Sequence, residues 1–505
     1  MSGSDAAAPG RRIAGSALIT SATVIATMAL GAVLAVLIVL QFGKTPRTDG
    51  LLAAYGVYGL LLTLAQSARA SVAARLVEGS SVFANLDRFL AGALVMALAA
   101  AVPLVLLGQP VAELLTGDLP AEAASTARTA LAILWVAAAA HLAAALGAAA
   151  LGTRGQFALP GLAYVMGGVL AIGLMLALAG PLGIDAVAVG VAAGSVVTAA
   201  TIGSRLARAG YRPDLRKLFP GRAATVAAGV VVVGSVGYTI SQATYVVSVA
   251  FAATLEPGAV TLYSYAFFAA ALVLGASAGT AGIVLAAPVA RDWDRRAETL
   301  LGHLETVTRG GLLLVLPSLG VMAVAGDELV ELVLGSELAA EDPDTVAHTF
   351  LGLGGMMVCG AALSVPMLAA LARARFGAIA WTAALTVVAH MPLSALAASL
   401  GSTEWIAGAA SMSAAISLAA MLVFVFGRST GAALAVVLRE LALMGAAAAL
   451  SFAAAGLLGA SLGGGAADVA GASLGVAVFA LALRVAEPEA WRLAVRMSAP
   501  LRARG

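Results

Sequence analysis

The chain has little charge, one cysteine and few histidines. Charged residues make up 11% of its 505 residues, and it contains four histidines. Soluble domains carry about 25% charged residues, so this composition excludes an ordinary soluble fold. The single cysteine, Cys359, excludes an intramolecular disulfide. The scattered histidines indicate no metal-binding cluster, and we expect neither a metal nor any other cofactor.

Apolar residues dominate the sequence. They make up 61% of the chain, and the mean hydropathy is +1.01. A helix that crosses a bilayer needs about 20 apolar residues, and runs of this length follow one another with short polar breaks between them. The first run, 14–42, is too long for the core of a signal peptide. The sequence therefore predicts an all-α polytopic membrane protein with a retained first span.

The apolar runs predict about fourteen transmembrane spans. Their approximate ranges are 14–42, 51–77, 89–112, 126–152, 157–180, 185–207, 223–254, 258–288, 306–326, 346–372, 377–400, 404–427, 438–460 and 466–485. With the N-terminus in the cytoplasm, the inner breaks and adjoining helix ends hold 25 of the 28 Lys and Arg residues, and the outer side holds 3. Because cytoplasmic loops are enriched in Lys and Arg, we expect a protein of the cytoplasmic membrane with both termini inside. The basic loops then indicate topology and contact with membrane lipids, not nucleic-acid binding.

Two of the three basic residues on the outer side, Lys44 and Arg47, lie in one short hairpin at 43–50. Their placement against the general charge trend predicts a role beyond topology, such as contact with a substrate. The alternative is structural, with an Arg47/Asp49 pair that caps the second helix and Asp49 as a favourable N-cap residue.

The sequence contains a weak internal repeat with an offset of 219 residues. The stretch R-G-Q-F at 154–157 joins spans four and five, and R-A-R-F at 373–376 joins spans ten and eleven. At the same offset, Asp185 opens span six and Glu404 opens span twelve. Because six spans preserve orientation, the halves are parallel repeats, between which a substrate is expected near the midplane. The predicted divisions are a cytoplasmic tail 1–13, a first lobe 14–208, a basic linker 209–222, a second lobe 223–427, two further spans 428–486 and a cytoplasmic tail 487–505.

Polar residues recur at helical spacing in the spans expected to line the central space. Span one carries Ser16, Thr20, Thr23 and Thr27, span seven carries Ser235, Tyr238, Gln242 and Tyr245, and span two adds Tyr55, Tyr58, Gln66 and Arg69. We expect a water-accessible cleft lined by these residues, with Thr23, Thr27, Tyr55, Tyr58, Gln66, Arg69, Tyr238, Gln242 and Tyr245 contacting the substrate beside Lys44, Arg47 and Asp49. The alternatives are ordinary hydrogen bonds between helices and, for Arg69, snorkelling to headgroups.

Other polar and small residues within the spans have simpler interpretations. His141 and His390 are better explained as packing residues than as proton relays, since they are not equivalent in the repeat. The G-x-x-x-G pairs at Gly190/Gly194 and Gly275/Gly279 indicate close helix packing. No Asp or Glu is expected deep within a span.

Four stretches carry a family resemblance. They are F-G-K-T-P-R-T-D at 42–49, G-T-R-G-Q-F-A-L-P-G-L at 152–162, T-R-G-G-L-L-L-V-L-P at 308–317 and A-E-D-P-D-T at 340–345. In order and spacing they resemble the MurJ-type lipid II flippases of the multidrug/oligosaccharidyl-lipid/polysaccharide exporter superfamily. The resemblance implies two six-helix lobes around a cavity and a lipid-facing groove near spans thirteen and fourteen. It also implies a transporter, not an enzyme, that moves a polyprenyl-pyrophosphate-linked saccharide outward by alternating access, with cell-wall synthesis proteins as possible partners.

The sequence departs from this family at the cavity. The family carries arginines on its first, second and eighth helices, whereas spans one and eight here contain none. The cargo could then be another lipid-linked glycan, or anion binding could have moved to Lys44, Arg47 and Arg69. The remaining alternatives are a non-transporting scaffold for cell-wall synthesis and a drug/cation antiporter, which would need carboxylates within the membrane. A membrane glycosyltransferase would need acid and base residues, and the acidic segment 327–344 has no basic partner.

Overall fold

The computed structural model describes most of the chain as α-helix. The described residues are 29–76, 82–154, 158–214, 221–279, 297–335, 343–373, 375–462 and 465–486, together with 23, 26, 27 and 156. The helices, numbered in chain order, are α1 Ala29–Phe42, α2 Pro46–Leu76, α3 Val82–Thr116, α4 Ala121–Gly152, α5 Ala158–Leu182, α6 Asp185–Arg208, α7 Arg222–Ala252, α8 Ala259–Leu274, α9 Ala297–Leu334, α10 Pro343–Gly352, α11 Gly354–Ala372, α12 Phe376–Ser399, α13 Thr403–Phe426, α14 Thr430–Leu462 and α15 Gly465–Ala486.

The apolar helices confirm a polytopic membrane fold. Within the described part of the chain, eleven helical stretches are long and apolar enough to cross a membrane, and two shorter apolar helices, Ala29–Phe42 and Thr239–Ala252, add to them. One of the eleven, Thr403–Ser461, runs through both α13 and α14. Counting it as two and adding the shorter pair gives fourteen, the predicted number. The tenth predicted span is built from two helices, because α10 and α11 follow each other within Thr345–Leu371.

Several helices begin earlier than the predicted spans. α2 begins at Pro46, α9 at Ala297 and α14 at Thr430, each five to nine residues before the expected start. Hydropathy marks only the apolar part of a helix, whereas the hydrogen-bonded helix continues through polar residues toward the headgroups. The eighth span was expected to reach residue 288. α8 passes into a π-helical turn at Gly275–Gly279, and the rest of that span lies outside the described residues.

The first compact unit comprises residues 1–258, with α2 at its centre. α2 packs on α3, α4 and α7, while α6 packs on α4 and α5. α1 contacts α5, where a Cβ atom on Gly168 would lie 3.0 Å from the side chain of Leu30. The tightest part of this core contains Leu76, Leu86 and Leu146, which are fully buried. α7, which the predicted division assigned to a second lobe, packs here on α2 and α3; the division into lobes stays a prediction.

The second compact unit, residues 259–505, repeats the helix pairing of the first. α8 and α9 pack on the α10–α11 pair, which packs on α13, and α13 packs on α12. In the first unit, the equivalent contacts are those of α2 and α3 with α4, of α4 with α6, and of α6 with α5. Asp185 and Glu404 both lie in the first turns of their helices, α6 and α13. α14 and α15 have no counterpart in the repeat, and they pack on α9 and on each other.

The arginines of the repeated joints make the same contact in each unit. Arg154 Nη1 donates a hydrogen bond to the carbonyl oxygen of Ala209, 3.0 Å away, just after α6. Arg373 Nη1 donates to the carbonyl oxygen of Val425, 3.2 Å away, in the last turn of α13. A cation near the last carbonyls of a helix is favoured by their partial negative charge. In both units the arginine therefore holds the end of the helix before the joint (α4 or α11) against the end of a third helix (α6 or α13). This shared contact accounts for the repeated motif.

The loop after α6 is anchored on α3 of the first unit. The Tyr211 hydroxyl donates a 2.6 Å hydrogen bond to Asp87 of α3, which is 3% exposed. Burial, the hydrogen bond and the carboxylate charge all raise the pKa of Tyr211. The Tyr211 ring also packs on Phe83, whose other neighbour is the guanidinium of Arg154, 4.0 Å from the ring centre. Part of this basic loop is thus held by specific contacts.

A buried ion pair joins α9 to α14. Arg309 Nε donates to Glu440 at 2.8 Å, and these residues are 8% and 1% exposed. Glu305 and the half-exposed Arg439 complete the network. Glu440 is the third residue of the predicted span 438–460, and α14 begins eight residues before that span. The expectation that no carboxylate lies deep within a span stays a prediction.

Candidate substrate site and family

The N-terminal end of α2 is capped by Thr45. Its hydroxyl accepts a hydrogen bond from the Thr48 backbone N–H at 3.2 Å, and Pro46 occupies the first helical position, which it favours. The Asp49 N–H donates to the Thr45 carbonyl oxygen at 3.0 Å, within the helix. Asp49 is therefore not the N-cap residue, contrary to the structural alternative, because the helix begins five residues before the predicted span.

Asp49 connects α2 to the loop after α7. Its side chain is fully buried, and its carboxylate accepts a hydrogen bond from the backbone N–H of Gly258 at 2.5 Å. Gly258 has φ +95°, a conformation that favours glycine. The Lys44 side chain occupies the place where a Cβ atom on Gly258 would lie. The hairpin thus brings a cation, a carboxylate and a backbone donor together.

Arg47 makes its ion pair with another helix. Its Nε atom lies 3.2 Å from the Glu122 carboxylate of α4, and the two side chains are 65% and 47% exposed. The expected Arg47/Asp49 pair is thus replaced by Arg47/Glu122. Exposed ion pairs contribute about 0 to 1 kcal/mol to stability, so this contact holds the guanidinium only weakly.

A chain of rings crosses three helices of the first unit. Tyr55 packs edge-on against Tyr58, with ring centres 5.3 Å apart, and the Tyr58 hydroxyl lies 3.2 Å from His141 Nδ1 on α4. The His141 ring stacks on Tyr164 of α5 at 5.7 Å. We call these four residues the ring cluster. Tyr164 was missed as a candidate, and His141 was assigned to packing, because spacing along one helix does not reveal neighbours on another.

The candidate residues of α7 pack against α2. Tyr245 is fully buried, and its ring fills the space beside Gly56, while Gln242 occupies the space beside Gly59. Gln242 Nε2 also lies 3.4 Å from the Gly56 carbonyl oxygen. Both glycines permit this close approach because they lack a side chain. These contacts agree with the alternative of ordinary contacts between helices.

Before α1, Thr23 is 7% exposed and faces Gly161, and the Thr27 hydroxyl donates to the Thr23 carbonyl oxygen at 2.8 Å. The hydroxyl of Thr27 is thus satisfied within its own helix. Ser16 and Thr20, and the side chains of Ser235, Gln66, Arg69 and Tyr238, lie outside the described residues. A role in substrate binding stays a prediction for every candidate.

The family is decided by a match over most of the chain. Residues 75–465 match the family model described as "Lipid II flippase MurJ". The chain belongs to this family. The match begins within α2 and ends at α15, so it includes both compact units.

Solved structures of the MurJ family and its superfamily share the fold. A lipid II flippase MurJ in an inward closed conformation has a TM-score of 0.73 and 15% identity, and the alignment covers 96% of this chain and 99% of that one. An inward-facing multidrug resistance MATE transporter of the MOP superfamily has a TM-score of 0.60 and 16% identity, with coverages of 80% and 95%. A MATE transporter in complex with MaL6 has a TM-score of 0.56 and 15% identity, with coverages of 83% and 96%. No curated protein matches the chain by sequence.

Membership in the MurJ family makes this chain a membrane transporter of lipid-linked precursors, not an enzyme. The side chains at the candidate site agree with binding chemistry. They offer hydrogen bonds, a cation and aromatic faces. Among the described residues, no group of three or more His, Cys, Asp or Glu side chains could hold a metal ion.

Proposed function

We propose that this protein moves lipid II, or a closely related polyprenyl-pyrophosphate-linked saccharide, from the inner to the outer leaflet by alternating access. The observation that carries the proposal is the family match over residues 75–465. The helical fold, with its repeated helix pairs and two added helices, supports the same conclusion. We further propose that both termini lie in the cytoplasm, which the inner excess of Lys and Arg supports.

The cargo needs a protein because its headgroup is charged. A pyrophosphate cannot cross about 30 Å of hydrocarbon unaided, since the loss of hydration would cost many kcal/mol. Cations and hydrogen-bond donors within a protein replace part of that hydration, while the polyprenyl chain stays in lipid. We assign this role to Lys44, Arg47 and Arg69, with the polar residues of α1, α2 and α7 contacting the rest of the headgroup.

Transport of labelled lipid II in proteoliposomes tests the proposal. The purified full-length chain should move the headgroup between leaflets, and vesicles without protein provide the control. Flux equal to that of empty vesicles, with lipid II and a related polyprenyl-linked glycan both supplied, would contradict the proposal.

The second candidate function is a non-transporting scaffold for cell-wall synthesis. It is favoured by the missing arginines of spans one and eight. A scaffold would restore growth to cells depleted of the protein even when its transport residues are replaced, whereas a flippase would not. The buried carboxylate of Glu440 lends no support to a cation antiporter, because it already pairs with Arg309 and Arg439.

A further inference from the structure

The ring cluster has no counterpart in the second unit. At the repeat offset of 219, His141 corresponds to Gly360 and Tyr164 corresponds to Ala383. In the second unit, Leu274 of α8 packs into the space that Gly360 leaves on α11. The equivalent pair of helices is therefore held together there by an aliphatic side chain and a glycine. The second unit joins the equivalent helices without rings at these positions, so the shared fold alone does not dictate the ring cluster.

The chemistry of the ring cluster suits an uncharged polar ligand. Tyr55, His141 and Tyr164 are each partly exposed, while Tyr58 is 3% exposed and supports them. Their ring faces are apolar, and their hydroxyl and imidazole edges donate and accept hydrogen bonds. Sugar rings present the matching surfaces, with C–H groups on one face and hydroxyl groups around the edge.

The depth of the ring cluster matches the path of a headgroup. Tyr58 lies twelve residues after the start of α2, which corresponds to about 18 Å along the helix. The apolar stretch Pro46–Ala65 of α2 has the length of a bilayer core, about 30 Å, and Tyr55 and Tyr58 lie near its middle. Polar side chains at that depth are costly against lipid and normally face the protein interior or a water-filled space.

We propose that the ring cluster is a subsite for a sugar ring of the lipid-linked headgroup. The inference rests on the proposed function and adds to it a place where the saccharide is recognised. Tyr164 and Tyr55 supply ring faces for stacking, and His141 supplies a hydrogen bond to a sugar hydroxyl. The pyrophosphate binds elsewhere, at the cationic residues.

Two probes separate the sugar from the pyrophosphate. One is a short-chain prenyl pyrophosphate carrying the disaccharide, and the other is the same prenyl pyrophosphate without sugar. We expect Tyr164→Leu to weaken binding of the first probe by about tenfold, since the flat ring face that stacks on the sugar is lost, and to leave the second unchanged. Tyr164→Phe, which keeps the ring, should bind the first probe within about threefold of wild type.

The matched control is Trp381→Leu, which removes a ring that is 70% exposed on α12. It should bind both probes as wild type does, and thermal unfolding of each variant in detergent establishes that it folds. An equal loss of both probes in Tyr164→Leu, or no loss of either, would overturn the subsite. If His141→Gln changed only the pH dependence of transport, with sugar binding intact, the cluster would be a proton site and the proposal wrong. A wild-type protein that binds neither probe would contradict the proposed function itself.

Discussion

Asp49 is fully buried and accepts a hydrogen bond from a main-chain donor more than two hundred residues away. We expect Asp49→Ala to reduce lipid II transport at least tenfold while the protein still inserts in the membrane. The substitution leaves the Gly258 N–H without this acceptor, which costs about 1 to 3 kcal/mol. Flux in proteoliposomes and thermal unfolding of the same preparation measure the two effects.

Asp49→Asn separates charge from hydrogen bonding, because its amide oxygen still accepts from Gly258. If charge serves transport, Asn should lower flux almost as much as Ala but destabilise the protein less. Wild-type flux in Asp49→Ala would reduce the residue to a structural link.

Arg47 provides the complementary case, because it is exposed. We expect Arg47→Ala to change the free energy of unfolding by less than about 1 kcal/mol, since its pair with Glu122 is a surface pair. If the guanidinium contacts the pyrophosphate, flux should fall several-fold. Glu122→Ala removes the same ion pair but keeps the cation, so it serves as the control and should transport normally. Equal losses of flux in Arg47→Ala and Glu122→Ala would show that transport depends on the ion pair and not on the guanidinium alone.

The sequence singled out the hairpin at 43–50 correctly as unusual, from charge alone. It could not identify the partners, because Glu122 and Gly258 lie far from the hairpin along the chain. The same limit applies to Tyr164, whose relation to His141 depends on how α4 and α5 pack.

Two equivalent helix pairs solve the same packing problem differently. Between α5 and α6, Gly167 and Gly194 allow the backbones to touch, since a Cβ atom on either would overlap the other. Between α12 and α13, the equivalent positions are Thr386 and Ser413. Thr386 donates to Ser417 at 3.0 Å, and Ser413 lies 2.9 Å from His390 Nδ1. Small residues and hydrogen bonds are the two usual means of joining helices in a membrane.

Gly194→Ala tests the close approach. We expect a loss of about 1 to 3 kcal/mol in stability, because the new methyl group would overlap backbone atoms that have little freedom to move. Gly203→Ala lies on the same helix with open space around it, and helix propensity predicts no loss or a gain of about 0.5 to 1 kcal/mol. Thermal unfolding of the full-length variants measures both. Similar effects at both positions would contradict the packing explanation.

The ion pair between α9 and α14 predicts a strong asymmetry between single and double substitutions. Glu440→Gln should destabilise the protein by about 3 to 5 kcal/mol, because Arg309 is then buried without a full counter-charge. The double variant Arg309→Met/Glu440→Leu should recover much of this loss, since no unpaired charge remains in the core. Thermal unfolding in detergent provides the measurement. If the double variant lost as much stability as the two single substitutions at 309 and 440 together, the charges themselves would stabilise the fold.

Hydropathy located the helices well because a membrane span must be apolar along its length. It failed at their ends, where α14 extends eight residues before the expected start. The G-x-x-x-G pair at Gly190/Gly194 predicted close packing correctly, because small residues at that spacing have one principal use within membranes. The histidines were harder to interpret. His390 is fully buried among serines, as packing requires, whereas His141 is partly exposed beside tyrosines.

The orientation of the whole molecule is open to chemical labelling. In a Cys359→Ala background, Asp118→Cys lies in the loop between α3 and α4, and Arg212→Cys lies after α6; both positions are exposed. A membrane-impermeant maleimide should label the first in intact cells and the second only after permeabilisation. The reverse result would invert the predicted topology.

The repeat was visible at the scale of the whole chain because the same short joint occurs twice, and the paired helices confirm it through equivalent contacts. The interruption between α10 and α11 was not visible, since Leu353 lies in an unbroken apolar run. Apolar residues report burial, and a break of one or two residues between helices leaves no mark in them.

The contact at Asp49 also limits which suppressor mutations a genetic selection can recover. The donor to Asp49 is the peptide N–H of residue 258. A substitution at this position therefore keeps the donor unless the new residue is proline. A search for second-site suppressors of an Asp49 substitution should therefore recover few changes at residue 258. Chemical synthesis of an ester in place of that amide would remove the donor alone.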